Sequence, residues 1–310
     1  MILVQHKFKL LALFLLLVLA WLMWPVYQFF AYKNDAPMLP VGFVTLPEDD
    51  PASQVVTDAR YKNTGKKALD ALVDHKRTIL APGISAAVAI DGSLVWTGVA
   101  GWADIKKALP VTADTRFRIG STSKALTATA LARMTQSGSI DLDKPIGNYL
   151  AQLPNPQWQD ITPRQLVSHM AGLPEYKKNQ DKVGLYHTMA LRRHYSNVVD
   201  SLEVFDDTPL LFRPGTRFHY STYNTVLLSA VMAAASNQSY LGLIKEQVVG
   251  PLAMNHTEPD PVTPTDTMAT FYWRRGNEVK PWRRVDLSHR LAGEVLFPRL
   301  RIWSSLAPRG

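Results

Sequence analysis

Two residues three positions apart, Ser121 and Lys124, have the chemistry of a nucleophile and its base. Residues at i and i+3 lie on one face of a helix, so the lysine amine can reach the serine hydroxyl. A serine becomes nucleophilic when a neighbouring base accepts its proton, and a lysine serves as that base when desolvation and nearby cations lower its pKa. The pair is therefore a candidate nucleophile and base.

The stretch that begins at Ser121, STSKALTATALARMTQSG, is apolar on nearly all sides and predicts a buried helix that ends at Gly138. Its N-terminus would present N–H groups and partial positive charge to a developing oxyanion. A serine at a helix start with a lysine in the first turn also occurs for helix stability alone. The spacing by itself leaves both interpretations open.

The sequence around this helix predicts a mixed arrangement of helices and antiparallel strands. Residues 66–80 have helical periodicity, and 84–104 form two strand-like runs joined by Asp91-Gly92, a pair suited to a tight hairpin turn. Helices and loops are expected to about 204, followed by a helix at 225–235. A strand at 271–273 precedes a turn at 276–277, which indicates that a sheet resumes late in the chain.

Three sequence blocks resemble the serine β-lactamase and penicillin-binding-protein-like hydrolases, which include class C β-lactamases, DD-peptidases and esterases. The blocks are PGISAAVAIDGSLVWTGVAGWADI with RFRIGSTSKALTATALARMTQSGSIDLDKPIGNYL, then ITPRQLVSHMAGLPEY, then PGTRFHYSTYNTVLLSAV. The resemblance covers roughly 58–293. It implies an α+β fold of the β-lactamase/transpeptidase type, in which helices flank an antiparallel sheet, a helical subdomain is inserted beside it, and the active site lies in the crevice between.

The resemblance also implies roles for individual residues. Ser121 matches the family nucleophile, Lys124 its base, and Tyr220 the tyrosine that relays a proton to or from the leaving group. Thr222 occupies a substrate-binding position at which many β-lactamases carry asparagine. Because a hydroxyl offers fewer hydrogen bonds than a carboxamide, this difference disfavours antibiotic cleavage and favours a peptide, amide or ester substrate.

His169 and Gly172, in the second block, are expected to be structural and to tie a helix end to a loop. The sequence has no cysteine and no paired-histidine pattern, which disfavours a metal site, and no cofactor is expected. Its net charge of +8 is spread over isolated basic pairs, which favours a solvated surface and gives no motif for nucleic acid. The expected partners are a small-molecule or peptide substrate and a membrane, and the oligomeric state stays open.

The N-terminal region predicts a membrane anchor. Residues 10–32 carry no charge, and this stretch is long enough for a bilayer-spanning helix, which needs ~20 residues. Lys7 and Lys9 precede them, so we expect 1–9 to be cytoplasmic, 10–32 to be a transmembrane signal anchor, 33–57 to be a linker, and 58–293 to be an extracytoplasmic hydrolase domain, periplasmic in a bacterium. A cleaved signal peptide remains the alternative.

The C-terminal segment 294–310 shows neither helical nor alternating periodicity. The resemblance implies a further motif, Lys or His followed by a small residue and glycine, which does not occur after Tyr220. We therefore expect an aberrant, frameshifted tail, missing C-terminal strands and an inactive chain, with a divergent natural terminus as the alternative. A non-catalytic, membrane-tethered binding protein or pseudoenzyme of the same fold is the second functional hypothesis.

Overall fold

Helices and short antiparallel strands alternate along the chain, and the computed structural model describes residues 2–254, 256–261, 263, 265–294 and 296–297. The helices are α1 (Ile2–Tyr32), α2 (Lys62–Thr78), α3 (Ser123–Gln136), α4 (Pro163–Val167), α5 (Lys182–Ala190), α6 (Thr222–Ser236), α7 (Tyr240–Ile244) and α8 (Leu291–Glu294). The strands are β1 (Val44–Thr45), β2 (Gln54–Thr57), β3 (Gly83–Ile90), β4 (Ser93–Asp104), β5 (Leu109–Pro110), β6 (Glu258–Pro259), β7 (Tyr272–Arg275), β8 (Glu278–Pro281) and β9 (Leu296–Phe297).

The largest sheet has the order β2-β4-β3, with β5 paired to the far end of β4. The predicted hairpin between β3 and β4 is present, with Ile90 opposite Ser93. Asp91 and Gly92 both have positive φ, 49° and 72°, the conformation that a two-residue turn of this type requires. The helix α2 packs on this sheet, and the indole N–H of Trp96 in β4 donates to the carbonyl oxygen of Gly65 at 2.9 Å.

A second antiparallel sheet has the order β1-β8-β7 and includes the late strands that the sequence predicts. The segment 33–57, which the sequence predicts to be a linker, supplies both β1 and β2. β1, of two residues, lies between Pro40 and Pro47, and β2, of four residues, follows Pro51, so neither strand contains a proline. This part of the chain is therefore built into both sheets.

The main hydrophobic core surrounds α6, in which every residue from Thr222 to Met232 is buried. The sequence of α6 contains no charged residue and is mostly apolar, as expected for a central helix. Phe205 stacks on Tyr223 with ring centroids 4.2 Å apart, and Trp158 packs on the other side of Phe205 at 5.2 Å. This core fixes the first turn of α6, from which Thr222 reaches the candidate site.

The ends of the chain show one long helix and one short pairing. Within the described residues, α1 contains one unbroken segment long and apolar enough to cross a membrane, 6–32, and the predicted span 10–32 lies inside it. Two parts of the segment 294–310 are described. Glu294 is the last residue of α8, and the strand β9 pairs antiparallel with β6. The rest of the predicted aberrant tail lies outside the described residues.

Candidate active site

Ser121 lies on a single 3₁₀ turn, Gly120–Thr122, directly before α3, and not on the α-helix itself. Gly120 has a φ of +53°, a conformation that side chains with a Cβ disfavour, and a Cβ there would meet nothing within 4 Å. The glycine is thus needed for its backbone angle and not for space. The turn is held by Ser123, whose hydroxyl donates to the carbonyl oxygen of Gly120 at 2.8 Å. It places the Ser121 side chain at the surface of a cleft.

Lys124 reaches Ser121 from the first turn of α3, as the sequence predicts. Its Nζ lies 3.1 Å from Ser121 Oγ, 3.3 Å from Thr222 Oγ1 and 2.9 Å from the carbonyl oxygen of Gly293. The Lys124 amine therefore contacts the Ser121 hydroxyl and two further oxygen atoms, and those two hold it beside the hydroxyl whose proton a base would take.

Tyr220 approaches Ser121 from the opposite side. Its hydroxyl donates to Ser121 Oγ at 3.0 Å, and the side chain is 47% exposed, so the phenol faces the open cleft. Lys124 Nζ lies 5.1 Å from the centroid of the same ring. The phenol and the amine thus both contact the Ser121 hydroxyl, an arrangement in which protons can be relayed through that hydroxyl.

The segment that carries Tyr220 is fixed from both ends. Ser221 caps α6, with its hydroxyl accepting from the backbone N–H of Tyr223 at 3.1 Å and donating to the carbonyl oxygen of Pro174 at 2.5 Å. Thr222, the first residue of α6, is 5% exposed. Its hydroxyl is engaged by Lys124, and therefore the residue lies beneath the site and not on its open face.

His169 supports the Tyr220 segment without contacting the nucleophile. Its ring lies 4.5 Å from that of Tyr220, and its Nδ1 accepts from the backbone N–H of Ser221 at 3.5 Å and faces Asn224 Nδ2 at 3.3 Å. Burial, and then the nearby charge of Lys124, lower the pKa of His169, so the ring is neutral at neutral pH. These contacts are those of a residue that positions a loop.

Gly172, three residues further on, has a φ of +82°, and a Cβ there would lie 2.4 Å from the carbonyl oxygen of Phe212. The backbone N–H of Leu211 donates to the carbonyl oxygen of Gly172 at 2.8 Å, so the two loops are joined at this point. A side chain at Gly172 would separate them. Both the angle and the close approach require glycine.

Gly293 is the site residue that the sequence does not reveal. Besides accepting from Lys124, it packs so closely that a Cβ would lie 2.5 Å from Thr222 Cγ2 and 3.4 Å from Lys124 Nζ. A lone glycine before the C-terminal segment was the only available signal. Nothing local indicates that its carbonyl meets a lysine 169 positions earlier.

The profile of the family described as Beta-lactamase matches residues 69–295 of the chain. The mitochondrial serine beta-lactamase-like protein LACTB of Homo sapiens is 28% identical over 237 residues, which cover 57% of this chain and 43% of that protein. Protein flp of Staphylococcus aureus strain MW2 is 25% identical over 202 residues, covering 64% of this chain and 39% of its own length. The chain thus spans less than half the length of these relatives.

Solved structures show the same fold. EstCE1, a hydrolase with promiscuous acyltransferase activity, matches with a TM-score of 0.65 at 21% identity, over 80% of this chain and 72% of that one. The D-amino acid amidase of Ochrobactrum anthropi SV3, complexed with L-phenylalanine, matches with a TM-score of 0.63 at 23% identity. The match covers 78% of this chain and 68% of the amidase chain. The predicted β-lactamase/transpeptidase-like fold, a mixture of helices and antiparallel sheet, is confirmed.

Proposed function

The chain belongs to the beta-lactamase family, and on that basis we propose that it is a serine hydrolase in which Ser121 forms an acyl-enzyme with an amide, peptide or ester substrate. The observation that carries the proposal is the position of Ser121 Oγ between Lys124 Nζ at 3.1 Å and the Tyr220 hydroxyl at 3.0 Å. A nucleophile with a base on one side and a proton relay on the other is the arrangement that two-step acyl transfer needs.

In the acylation step, the neutral amine of Lys124 takes the proton from Ser121, and Oγ attacks the substrate carbonyl carbon. The N–H groups of a helix's first turn have no acceptor within their own helix, so those at the start of α3 can stabilise the oxyanion of the tetrahedral intermediate. When the intermediate collapses, the bond to the leaving group breaks. Tyr220 gives its proton to the departing nitrogen or oxygen and recovers one from Lys124.

In the deacylation step, water attacks the ester formed on Ser121. Lys124 accepts one proton from this water through Tyr220, and the acyl carbonyl forms a second tetrahedral intermediate. Its collapse releases the acid and returns the proton to Ser121 Oγ, so that the enzyme is regenerated. The two protein groups that exchange protons in this cycle, the Lys124 amine and the Tyr220 hydroxyl, lie 3.1 Å and 3.0 Å from Ser121 Oγ.

We assign Thr222 and Gly293 to the positioning of Lys124, because each accepts one of its N–H groups. Thr222 is too buried to serve as the open substrate contact that asparagine provides in many β-lactamases. This supports a peptide, amide or ester substrate over a β-lactam. Two solved proteins of the same fold, a D-amino acid amidase and the hydrolase EstCE1 with promiscuous acyltransferase activity, are in keeping with this substrate class.

Covalent labelling by a fluorophosphonate tests the proposal, with intact-mass detection and peptide mapping. We expect one adduct on Ser121 in the wild-type chain and none in Ser121→Ala, with unchanged circular dichroism. Ser93→Ala, which removes an exposed hydroxyl on the β3–β4 hairpin, is the matched control and should label normally. Absence of labelling in the folded wild-type chain would support instead either the non-catalytic binding protein or the inactive chain that the predicted frameshifted tail implies. Labelling of Ser121→Ala would assign the reaction to another residue.

We also propose that α1 anchors the protein in a membrane with the hydrolase domain on the extracytoplasmic side. The proposal is supported by the uncharged stretch 10–32 and by Lys7 and Lys9 on its N-terminal side. Protease added outside sealed vesicles should digest the domain and leave the first residues protected. Recovery of the domain in the soluble cytosolic fraction would refute this topology, and a mature N-terminus beyond 32 would show a cleaved signal peptide.

A further inference from the structure

A cavity of about 490 Å³ lies beside the turn that carries Ser121. Ile119 and Gly120, the two residues that lead into Ser121, form part of its wall. Most of the remaining wall is apolar or aromatic and comes from distant parts of the chain, chiefly Phe29, Tyr32, Leu191, Phe271, Trp282 and Leu287. The volume is within the range of cavities that enclose small-molecule ligands.

The cavity is separate from the groups that move protons. Neither Tyr220 nor Lys124, which contact Ser121 Oγ, lines it. In the tetrahedral intermediate of the proposed reaction, the former carbonyl carbon bears Ser121 Oγ, the oxyanion, the leaving group and the acyl substituent. The leaving group faces Tyr220, which protonates it, so the acyl substituent must extend in another direction. The cavity beside Gly120 adjoins the nucleophile and can receive this substituent.

Basic side chains also line the cavity, and each of them contacts another group of the chain. Arg118 pairs with the carboxylate of Asp260 at 2.9 Å. The others contact an aromatic ring, a carbonyl oxygen and a ring nitrogen: Lys33 with the Phe29 centroid at 3.9 Å, Arg283 with Ala190 at 3.2 Å, and Arg290 with His289 at 3.1 Å. An uncharged hydrocarbon group can fill the mainly apolar space without displacing any of these contacts.

The last turns of α1 supply one side of this cavity. Phe29 and Tyr32 are three residues apart, on one face of the helix, and both line the cavity. The Tyr32 hydroxyl donates to the carbonyl oxygen of Pro281 at 3.0 Å, and its ring centroid lies 4.5 Å from that of Trp282. These contacts fix the end of α1 against the late part of the chain. The predicted anchor helix thus also forms part of the wall beside the nucleophile.

We infer that this cavity binds the acyl group of the substrate, and that this group is an uncharged alkanoyl or arylalkanoyl chain. The inference rests on the hydrolase function proposed above and gives its substrate class: esters or amides of apolar carboxylic acids. Each methylene group that leaves water for the apolar wall strengthens binding about fourfold. Phe29 and Leu287 are accordingly specificity-determining residues, because they contact the acyl group and not the bond that breaks.

Two fluorophosphonates that differ only in the alkyl group on phosphorus, methyl and octyl, test the inference on the full chain in detergent. In each reaction Ser121 Oγ bonds to phosphorus, fluoride leaves, and the serine proton passes to Lys124. We expect the octyl probe to label the wild-type chain at least about thirtyfold faster, measured as second-order rate constants. Variants are compared with the wild type in the same detergent, so that partition of the octyl probe into micelles cancels.

Two variants change the cavity, and a third is their control. Leu287→Trp narrows the cavity and should lower the octyl-to-methyl rate ratio by about tenfold or more. Phe29→Ala removes wall that α1 supplies and should lower the ratio by about fivefold. Leu241→Trp makes the matched change at a partly exposed leucine that lines a different cavity, beside α7, and should keep the wild-type ratio. Circular dichroism checks that each variant is folded.

Equal rates of the two probes in the wild-type chain would overturn the inference and leave the hydrolase function standing. A Leu287→Trp ratio equal to that of Leu241→Trp would also overturn it. So would faster labelling by a probe whose octyl chain ends in a carboxylate, because the acyl group would then be anionic.

If neither probe labels the folded wild-type chain, the hydrolase proposal fails, and binding alone tests the cavity. The methyl ester of ω-bromooctanoic acid is added to Ser121→Ala, and tryptophan fluorescence is recorded, because bromine quenches a tryptophan that it contacts. Saturable quenching that disappears in Ser121→Ala/Trp282→Phe would support an apolar acyl site at the Trp282 wall. Quenching that persists in this double variant, or does not occur, would overturn it.

Discussion

Replacement of Gly293 by alanine is expected to disturb the candidate site through a single steric contact. The added Cβ would lie 2.5 Å from Thr222 Cγ2, whereas carbon atoms in contact are about 3.5–4.0 Å apart. One of the two segments must therefore move by about 1 Å. Because α6 is packed on all sides, we expect Gly293 to move, and its carbonyl oxygen, 2.9 Å from Lys124 Nζ, to lose that contact.

The expected magnitudes follow from this geometry. Overpacking of a tight core contact costs about 1–3 kcal/mol in the free energy of unfolding. A displacement of about 1 Å in a catalytic group lowers the rate by roughly 10²-fold. Thr222→Ser removes the Cγ2 methyl group and keeps the hydroxyl that accepts from Lys124. The double variant Gly293→Ala/Thr222→Ser should therefore recover most of both losses, with a coupling energy of about 1–2 kcal/mol.

Two assays on the four chains of this double-mutant cycle check the reasoning. Urea titration of the full chain in detergent gives the free energy of unfolding, and the second-order rate constant for fluorophosphonate labelling reports the reactivity of Ser121. Thr222→Ser alone should be close to wild type in both. A Gly293→Ala chain with wild-type stability and labelling would refute the steric argument. A double variant no better than Gly293→Ala would show that the clash with Thr222 is not the cause.

Three further outcomes are expected. Lys124→Arg should lower the labelling rate by about 10²-fold or more, because a guanidinium stays protonated and cannot accept the serine proton; a rate within about tenfold of wild type would contradict the base role. Tyr220→Phe should lower turnover of an ester or amide by roughly 10²- to 10⁴-fold, measured as steady-state kcat, and a wild-type kcat would leave the tyrosine a structural role only. His289 is 3% exposed, and burial, followed by the charge of Arg290, lowers its pKa well below the ordinary value. The folded state therefore binds fewer protons than the unfolded state below about pH 6.5, so unfolding titrations should show stability that falls as pH decreases from about 7 to 5, with a smaller fall in His289→Gln.

The sequence determined most of the local structure, because periodicity and turn chemistry act over a few residues. The Asp91-Gly92 turn fixes the β3–β4 hairpin, and the uncharged, mostly apolar stretch at 225–235 predicts the central helix α6. The i, i+3 spacing of Ser121 and Lys124 likewise predicts their contact, since it depends on one turn of chain. The three sequence blocks that resemble the family extended the prediction to the whole fold. They also predicted the role of Tyr220, whose position depends on residues far from it in sequence.

The tertiary structure decided what joins distant parts of the chain. The contact of Lys124 with Gly293 spans 169 positions, and that with Thr222 spans 98, so no local pattern predicts either. The strands at 44–45 and 54–57 form in a segment whose composition predicts a linker, because the edges of existing sheets supply their hydrogen-bond partners. Aromatic side chains that lie far apart in the sequence, Phe29, Phe271 and Trp282, meet around one cavity, since folding brings together residues that chain distance keeps apart. The sequence by itself thus determined which residues can do chemistry, and the packing of α6 against α3 and α8 decided which groups hold the amine in place.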